Sequence, residues 1–159
     1  MSSELREHQA GDLGWIVHRQ AALYWQEYQW GASHETLLHE IAAKFLRDFK
    51  PGRERCFIAE HSGEIVGAVL VVENSAQIAQ LRMLYVEPKA RGRGVGRSLV
   101  EACVNFSRKA GYGSLVLWTS NALHAARKLY EEAGFELIEE KPYEDFGPGL
   151  KAQTWRLEL

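Results

Sequence analysis

The sequence of 159 residues has only two cysteines and no long apolar run. Cys56 and Cys103 stand far apart and form no C-x-x-C pair, so a disulfide framework is excluded and a cytoplasmic protein is predicted. The longest apolar runs, such as Ile65–Val72, fall far short of the ~20 residues that a membrane-spanning helix needs. Residues 1–9 are polar, unlike a secretory signal. The sequence therefore predicts no membrane partner.

The sequence also lacks an excess of basic charge. It has 19 Lys and Arg residues and 21 Asp and Glu residues, which gives a net charge of −2. This balance disfavours a nucleic-acid partner. The six histidines form no H-E-x-x-H motif, since Ala43 follows His39-Glu40 where the second His is needed, so no metal site is predicted. With 46% hydrophobic and 25% charged residues and no linker, the chain is predicted to form a single domain over residues 1–159.

The apolar periodicity predicts an α/β (α+β) fold with a mixed sheet. Two helices come first, one N-capped by Asp12 and one over residues 34–49 with a stripe that includes Leu46 and Phe49. Short turns then join three strands, which favours an antiparallel meander. The predicted elements that follow the first two helices are strands 56–60, 65–72 and 77–86, helix 94–110, strand 114–119, helix 122–133, and strands 135–140 and 154–159.

A glycine-rich turn at residues 91–98 joins the third strand to a helix. Such a turn presents several backbone N–H groups, and the helix N-terminus adds partial positive charge, so the site suits a phosphate or pyrophosphate. Arg91, Arg93 and Arg97 add formal charge, which favours a small anionic ligand on this chain. A P-loop is excluded because it requires a Lys, and a dinucleotide fingerprint is a poor match because its third Gly would fall at Arg97.

Three motifs resemble the GNAT superfamily of N-acetyltransferases. Arg91-Gly92-Arg93-Gly94-Val95-Gly96 satisfies the R/Q-x-x-G-x-G/A turn of that superfamily at each position. The stretch 84–88 resembles its L-x-V-x-P entry, and residues 126–135 resemble its A-x-x-x-Y-x-x-x-G-F segment. The resemblance spans essentially the whole chain. It implies a GNAT-like mixed, largely antiparallel twisted sheet with flanking helices and two splayed parallel central strands, at residues 77–86 and 114–119.

The resemblance implies an N-acetyltransferase that moves an acetyl group directly from acetyl-CoA to a primary amine of a small molecule or peptide. The pantetheine arm would pair with the backbone of the first splayed strand, and the pyrophosphate would lie on the glycine turn. Asn121 would contact the cofactor, cap the next helix, or do both. The cofactor-binding residues that the resemblance implies are Leu84, Tyr85, Val86, Arg91, Gly92, Arg93, Gly94, Val95, Gly96, Arg97, Ser98 and Asn121.

The resemblance also implies that Tyr130 is the catalytic acid that protonates the leaving sulfur; the alternative interpretation is a core aromatic. The acceptor pocket is expected at Trp25, Glu27 and Trp30, whereas the neighbouring tyrosines at positions 24 and 28 are expected to pack the first two helices together. No motif names the general base. Glu27, Glu35, a water chain or a less basic acceptor stay open.

Three further questions stay open at this level. The missing base leaves an alternative function, a catalytically weak acyl-CoA-binding regulatory or sensor module. The closing strands and an aromatic-rich surface near Trp155 favour a homodimer. The segment 141–153 is either a loop that covers the cleft or an oligomer contact.

Overall fold

Seven strands and four α-helices occupy most of residues 3–159, the part of the chain that a computed structural model describes. Residues 1 and 2 of the predicted domain lie outside it. A short 3₁₀ turn at Pro88–Ala90 precedes the third α-helix. The elements are β1 (Glu4–Glu7), α1 (Asp12–Tyr28), α2 (Ala32–Arg47), β2 (Arg55–His61), β3 (Glu64–Glu73), β4 (Ile78–Val86), α3 (Val95–Lys109), β5 (Ser114–Ser120), α4 (His124–Glu132), β6 (Glu136–Pro142) and β7 (Lys151–Glu158).

The described strands form one seven-stranded sheet in the order β1-β2-β3-β4-β5-β7-β6. Neighbouring strands are antiparallel except β4 and β5, which are parallel. Helices cover both faces, so the predicted mixed sheet, largely antiparallel with a central parallel pair, is confirmed.

The parallel pair separates part-way along its length. β4 and β5 are in register from Ile78 opposite Ser114 to Leu81 opposite Leu117, and beyond Leu81 the two strands no longer pair. A β-bulge follows directly, because Met83 has φ 57° and the register of β4 against β3 shifts there. Bulges bend a strand and increase its twist. The last part of β4 therefore leaves an open fork between the two central strands.

Each face of the sheet has its own hydrophobic core. Leu99 of α3 and Leu115 of β5 belong to the core under α3 and α4. Ile16 of α1 and Leu70 of β3 belong to the core under α1 and α2. The predicted stripe of α2 is wrong at its end, because Leu46 is 55% and Phe49 36% exposed. A helix turns about 100° per residue, so Leu46 points away from the side that buries Phe45.

The start of α1 also differs from the prediction. Gly11, with φ 94°, is the N-cap, and Asp12 is the first helical residue. The Asp12 carboxylate instead accepts the Gln9 N–H at 2.7 Å and pairs with Arg6 Nη1 at 2.7 Å. Arg6 belongs to β1, a four-residue edge strand that the sequence analysis missed because most of its side chains are exposed and show no apolar alternation.

The closing strands correct one further expectation. β7 lies between β5 and β6, and Trp155 is buried in the core rather than part of an aromatic surface. Of the closing strands, the outer strand β6 exposes Leu137 and Ile138, and the homodimer stays a prediction. Among residues 3–159, no helix combines the length and the apolarity that crossing a bilayer requires.

Candidate active site

The glycine turn leads from β4 into α3 with backbone conformations that favour glycine. Gly92 and Gly94 have φ of 74° and 82°, in the left-handed region that other residues rarely adopt. Gly94 is the N-cap of α3 and, lacking a side chain, leaves the first N–H groups of the helix without a side-chain acceptor. These free donors and the positive end of the helix dipole suit a phosphate.

Gly96 allows α3 to lie close against α4. A Cβ at this position would be 2.8 Å from Leu129 Cδ1, a distance at which the neighbour must move. Gly96 lines a cleft of about 600 Å³ between β4, the turn and α4. This cleft brings together, of the residues predicted from the sequence, Glu27, Leu84, Tyr85, Val86, Arg91, Gly92, Gly94, Val95, Gly96 and Arg97.

Two arginines of the turn are held by carboxylates on the cleft walls. Arg91 Nη2 donates to Glu27 Oε1 at 2.6 Å, and Arg91 Nε donates to the Val86 carbonyl at 3.4 Å. Arg97 Nη2 donates to Glu132 Oε2 at 2.8 Å. Such partly exposed ion pairs typically contribute only about 0–1 kcal/mol. An anionic ligand can therefore compete for both guanidinium groups.

A long-range ion pair fixes α1 beside the entrance to the turn. Arg19 donates from Nε and Nη2 to the two carboxylate oxygens of Glu87, at 2.9 and 2.8 Å. Glu87 is buried, and its N–H donates to the Val66 carbonyl at 2.8 Å. The pair was missed in the sequence because its partners lie far apart along the chain and belong to no motif.

A second, smaller cavity of about 90 Å³, here called the chamber, adjoins the cleft on the α1/α2 side of the fork. Tyr24, Leu84, Leu123 and Ala126 line both spaces, so they form a shared wall. Tyr130 lines the chamber and is buried, and this burial raises the pKa of its phenol. The phenol is therefore protonated at neutral pH and can donate a hydrogen bond.

Aromatic side chains from three parts of the chain close the chamber. Tyr24 stacks on His34 with ring centroids 5.0 Å apart. Phe146 lies 5.0 Å from Trp30 and 5.1 Å from His34, again between ring centroids. Ser33 Oγ donates to the Asp145 carbonyl at 2.6 Å and holds the loop that carries Phe146. The segment 141–153 thus provides part of the chamber wall.

Comparison of the chain with known protein families identifies the family to which it belongs. The Acetyltransferase (GNAT) family matches residues 17–135, well over half of the chain. The chain belongs to the GNAT family. The predicted family is therefore confirmed, and the matched region contains the fork, the glycine turn and α4.

Individual relatives of this GNAT protein cover different shares of it. N-acetyltransferase family 8 member 3 of Rattus norvegicus is 34% identical over 116 residues, 69% of this chain and 51% of that protein. The chain spans about half the length of the N-acetyltransferase family 8 proteins of rat and mouse that it matches.

Solved structures agree with the fold. A ribosomal-protein-alanine N-acetyltransferase from Brucella melitensis superposes with TM-score 0.77 at 20% identity, over 98% of this chain and 99% of that one. A candidate streptothricin acetyltransferase from Bacillus anthracis, solved in complex with acetyl coenzyme A, has TM-score 0.62 at 26% identity, over 70% of this chain and 65% of that one.

Three of the predicted site residues of this GNAT protein are not part of the cleft wall or the chamber wall. Arg93, Ser98 and Asn121 line neither the cleft nor the chamber. The capping interpretation of Asn121 is wrong: α4 begins only at His124, and Asn121 Oδ1 accepts the Lys151 N–H at 2.9 Å. This bond ties the end of β5 to the start of β7.

The expected acceptor pocket is rearranged in the structure. Trp25 is 57% exposed on the outside of α1, whereas Trp30 lines the chamber and Glu27 lines the cleft. Tyr24 and Tyr28 were expected only to pack α1 against α2, yet both line the cleft. Helical geometry explains why the two tyrosines rather than Trp25 line the cleft. Tyr24 and Tyr28 are one turn apart on the same side of α1, and Trp25 is rotated away from that side.

Proposed function

We propose that this GNAT protein is an acetyl-CoA-dependent N-acetyltransferase that acts on a primary amine of a small molecule or peptide. The observation that supports it most is the continuity of three features: the glycine turn, the open edge of β4 and the chamber with Tyr130. The relative from Bacillus anthracis that binds acetyl coenzyme A supports the same cosubstrate.

The cleft offers a matching group for each part of coenzyme A. The N–H groups from Gly94 onward would hold the pyrophosphate. A helix N-terminus contributes only ~0.3–1 kcal/mol per exposed charge, so several N–H contacts must act together. Beyond Leu81, β4 has no strand beside it on the β5 side, and its backbone at Leu84 and Val86 could pair with an amide-rich arm as an added strand.

Binding there would release the contacts of Arg91. Its guanidinium donates to the Val86 carbonyl and to the Glu27 carboxylate. A phosphate offers Arg91 a bidentate partner of higher charge, and Val86 would then be free to accept from the amide arm. The arginine thus contributes to phosphate binding and to opening the strand edge.

Acetyl-CoA supplies a thioester whose thiol, with a pKa of ~8.5, is a fair leaving group. Tyr130 holds a proton on its Oη next to the shared wall and would donate it toward the leaving sulfur as the C–S bond breaks. The phenol suits this role because burial raises its pKa and keeps it protonated. The acid role of Tyr130 is therefore the one we propose, and its packing in the core is compatible with it.

The acceptor must lose a proton before or during attack. An alkyl ammonium with pKa ~10.4 is about 3.4 units above pH 7, which makes its neutral form rarer by roughly 4.6 kcal/mol. Among residues 3–159, no carboxylate lines the chamber. Glu27 forms an ion pair with Arg91. Glu35 lies on the exposed side of α2, where its Oε2 is 3.6 Å from His39 Nε2. This arrangement favours proton removal through water.

Release of free thiol tests the function. Purified protein is incubated with acetyl-CoA and a library of small amines and short peptides, and coenzyme A is measured with a thiol reagent. An acetyltransferase gives thiol release that depends on one class of acceptor and yields the N-acetyl product by mass. The alternative, an acyl-CoA-binding sensor, gives acetyl-CoA binding by calorimetry with no acceptor-dependent release.

A further inference from the structure

One arginine of the fork has no partner among residues 3–159. Arg82 follows Leu81, the last residue of β4 that pairs with β5, and lies opposite Leu70 on the face covered by α1 and α2. It lines the chamber. Burial lowers the pKa of its guanidinium, which nevertheless stays charged at neutral pH.

The missing partner distinguishes Arg82 from the other arginines. Within the described chain, its guanidinium forms no hydrogen bond, ion pair or cation–π contact. Arg93 and Arg108 also lack an ion pair, but both are exposed to water, whereas Arg82 is half-buried. A charge removed from water is unfavourable unless an opposite charge or a hydrogen-bond partner compensates it. The structure provides none, so a ligand is the natural source.

Two unpaired polar atoms belong to residues of the same chamber wall, and His34 Nδ1 is an acceptor when the imidazole proton is on Nε2. Gln20 Oε1 and His34 Nδ1 are buried without a hydrogen-bond partner, and both residues line the chamber. Each side chain is only 4% exposed. Burial lowers the pKa of His34 to about 4, so the imidazole is neutral at pH 7 and does not repel a cation. The chamber thus presents a cation on β4 and unpaired acceptors on α1 and α2.

We propose that the acceptor is a small amine that also bears a carboxylate, an amino acid or a close analogue, with its carboxylate on Arg82. The planar guanidinium matches a carboxylate in a bidentate pair. The amine N–H groups would donate to Gln20 Oε1 and His34 Nδ1, which places the nitrogen in the space that Tyr130 lines. This assignment rests on the proposed acetyl transfer and narrows its substrate class.

The size of the chamber agrees with a small acceptor. Its volume is only about 90 Å³. The walls formed by Trp30 and Phe146 limit the side chain of the acceptor. A peptide N-terminus carries no carboxylate next to its amine, so the proposal favours a free amino acid over a peptide.

Matched acids and amides test the role of charge without any variant. Thiol release is measured with L-alanine, L-serine and L-aspartate and with the corresponding α-amides, which keep the primary amine and nearly the same size. We expect kcat/KM to be at least tenfold higher for at least one acid than for its amide. Equal or better use of all the amides would overturn the proposal.

Variants then assign the preference to one residue. Arg82→Met keeps an unbranched apolar stem, removes the charge and should abolish the preference for the acid, mainly through KM, while Arg82→Lys should keep part of it. Arg108→Met, which removes an exposed and unpaired arginine, should behave as the wild type. If Arg82→Met keeps the preference, the carboxylate is bound elsewhere and the proposal is wrong. Arg82→Gln serves as the neutral variant if the Met variant does not fold.

A binding measurement separates this proposal from the proposed function. Calorimetry compares N-acetyl-L-alanine and N-acetyl-L-alaninamide added to protein saturated with coenzyme A. Binding of the acid that Arg82→Met weakens at least tenfold would support the carboxylate site even if no amine gave thiol release. Thiol release with neutral amines only, and no binding of the acid, would keep the acetyltransferase and overturn the carboxylate site.

Discussion

At the scale of single residues, Tyr130 is the side chain on which the proposed chemistry depends most. Replacing it with Phe keeps the buried ring and removes the proton donor. Loss of one general acid typically costs ~10²–10⁴-fold in rate, so we expect Tyr130→Phe to bind acetyl-CoA normally and to lose at least about tenfold in kcat. Tyr112→Phe is the matched control, because its hydroxyl donates to the Arg53 carbonyl at 2.7 Å, away from the cleft. Near wild-type turnover in Tyr130→Phe would leave this tyrosine as a core residue only.

His34 should make the fold sensitive to acid. Its pKa is lowered from 6.5 to about 4 by burial, so its contribution to stability is complete above pH 6.5 and is lost as pH falls toward 4. The shift corresponds to about 3 kcal/mol at most. Urea unfolding of His34→Phe between pH 7 and 4 should therefore show a shallower loss of stability than the wild type. His39→Gln, on the exposed side of the same helix, should follow the wild type; identical curves for all three would contradict the prediction.

At the scale of elements, the strand–turn–helix of β4 and α3 should determine affinity for coenzyme A. Gly94→Val places a β-branched residue at φ 82°, and Gly96→Val directs a side chain at Leu129 and into the cleft. Calorimetry should give at least about tenfold weaker binding of coenzyme A for either variant. Gly14→Val in α1, where a Cβ meets nothing within 4 Å, is the control. Unchanged affinity in folded Gly94 and Gly96 variants would mean that the phosphates bind elsewhere.

The same element shows how far the sequence could predict the site. The glycine turn was predictable because its conformations and free N–H groups depend on neighbours within a few residues, and most of the turn lines the cleft. The chamber was not predictable, because Gln20, His34 and Arg82 come from α1, α2 and β4 and form no motif. The bulge at Met83, where the fork opens, was not predictable either, because it is a non-glycine residue at positive φ that no local pattern indicates.

At the scale of the whole molecule, the pairing of strands that are distant along the chain limited how much of the fold could be predicted from the sequence. The meander of β2, β3 and β4 was predictable since short turns join its strands. The insertion of β7 between β5 and β6 depends on contacts such as Trp155 opposite Leu117 and Leu137, which are far apart along the chain. For that reason the burial of Trp155 was missed, and the homodimer stays a prediction without the aromatic surface that favoured it.

One continuous sheet separates the two cores, which predicts that they unfold together. Coenzyme A bound at the fork as proposed would contact elements of both layers. A ligand at 100 times its Kd stabilises a protein by about 2.7 kcal/mol. For a domain of this size, 1 kcal/mol shifts Tm by about 2–4 °C. We therefore expect calorimetry to show one transition whose Tm rises by about 5–11 °C with saturating coenzyme A. The folded Gly96→Val variant should show a smaller shift at the same concentration. Two transitions, of which only one responds to the ligand, would show that the cores behave as separate units.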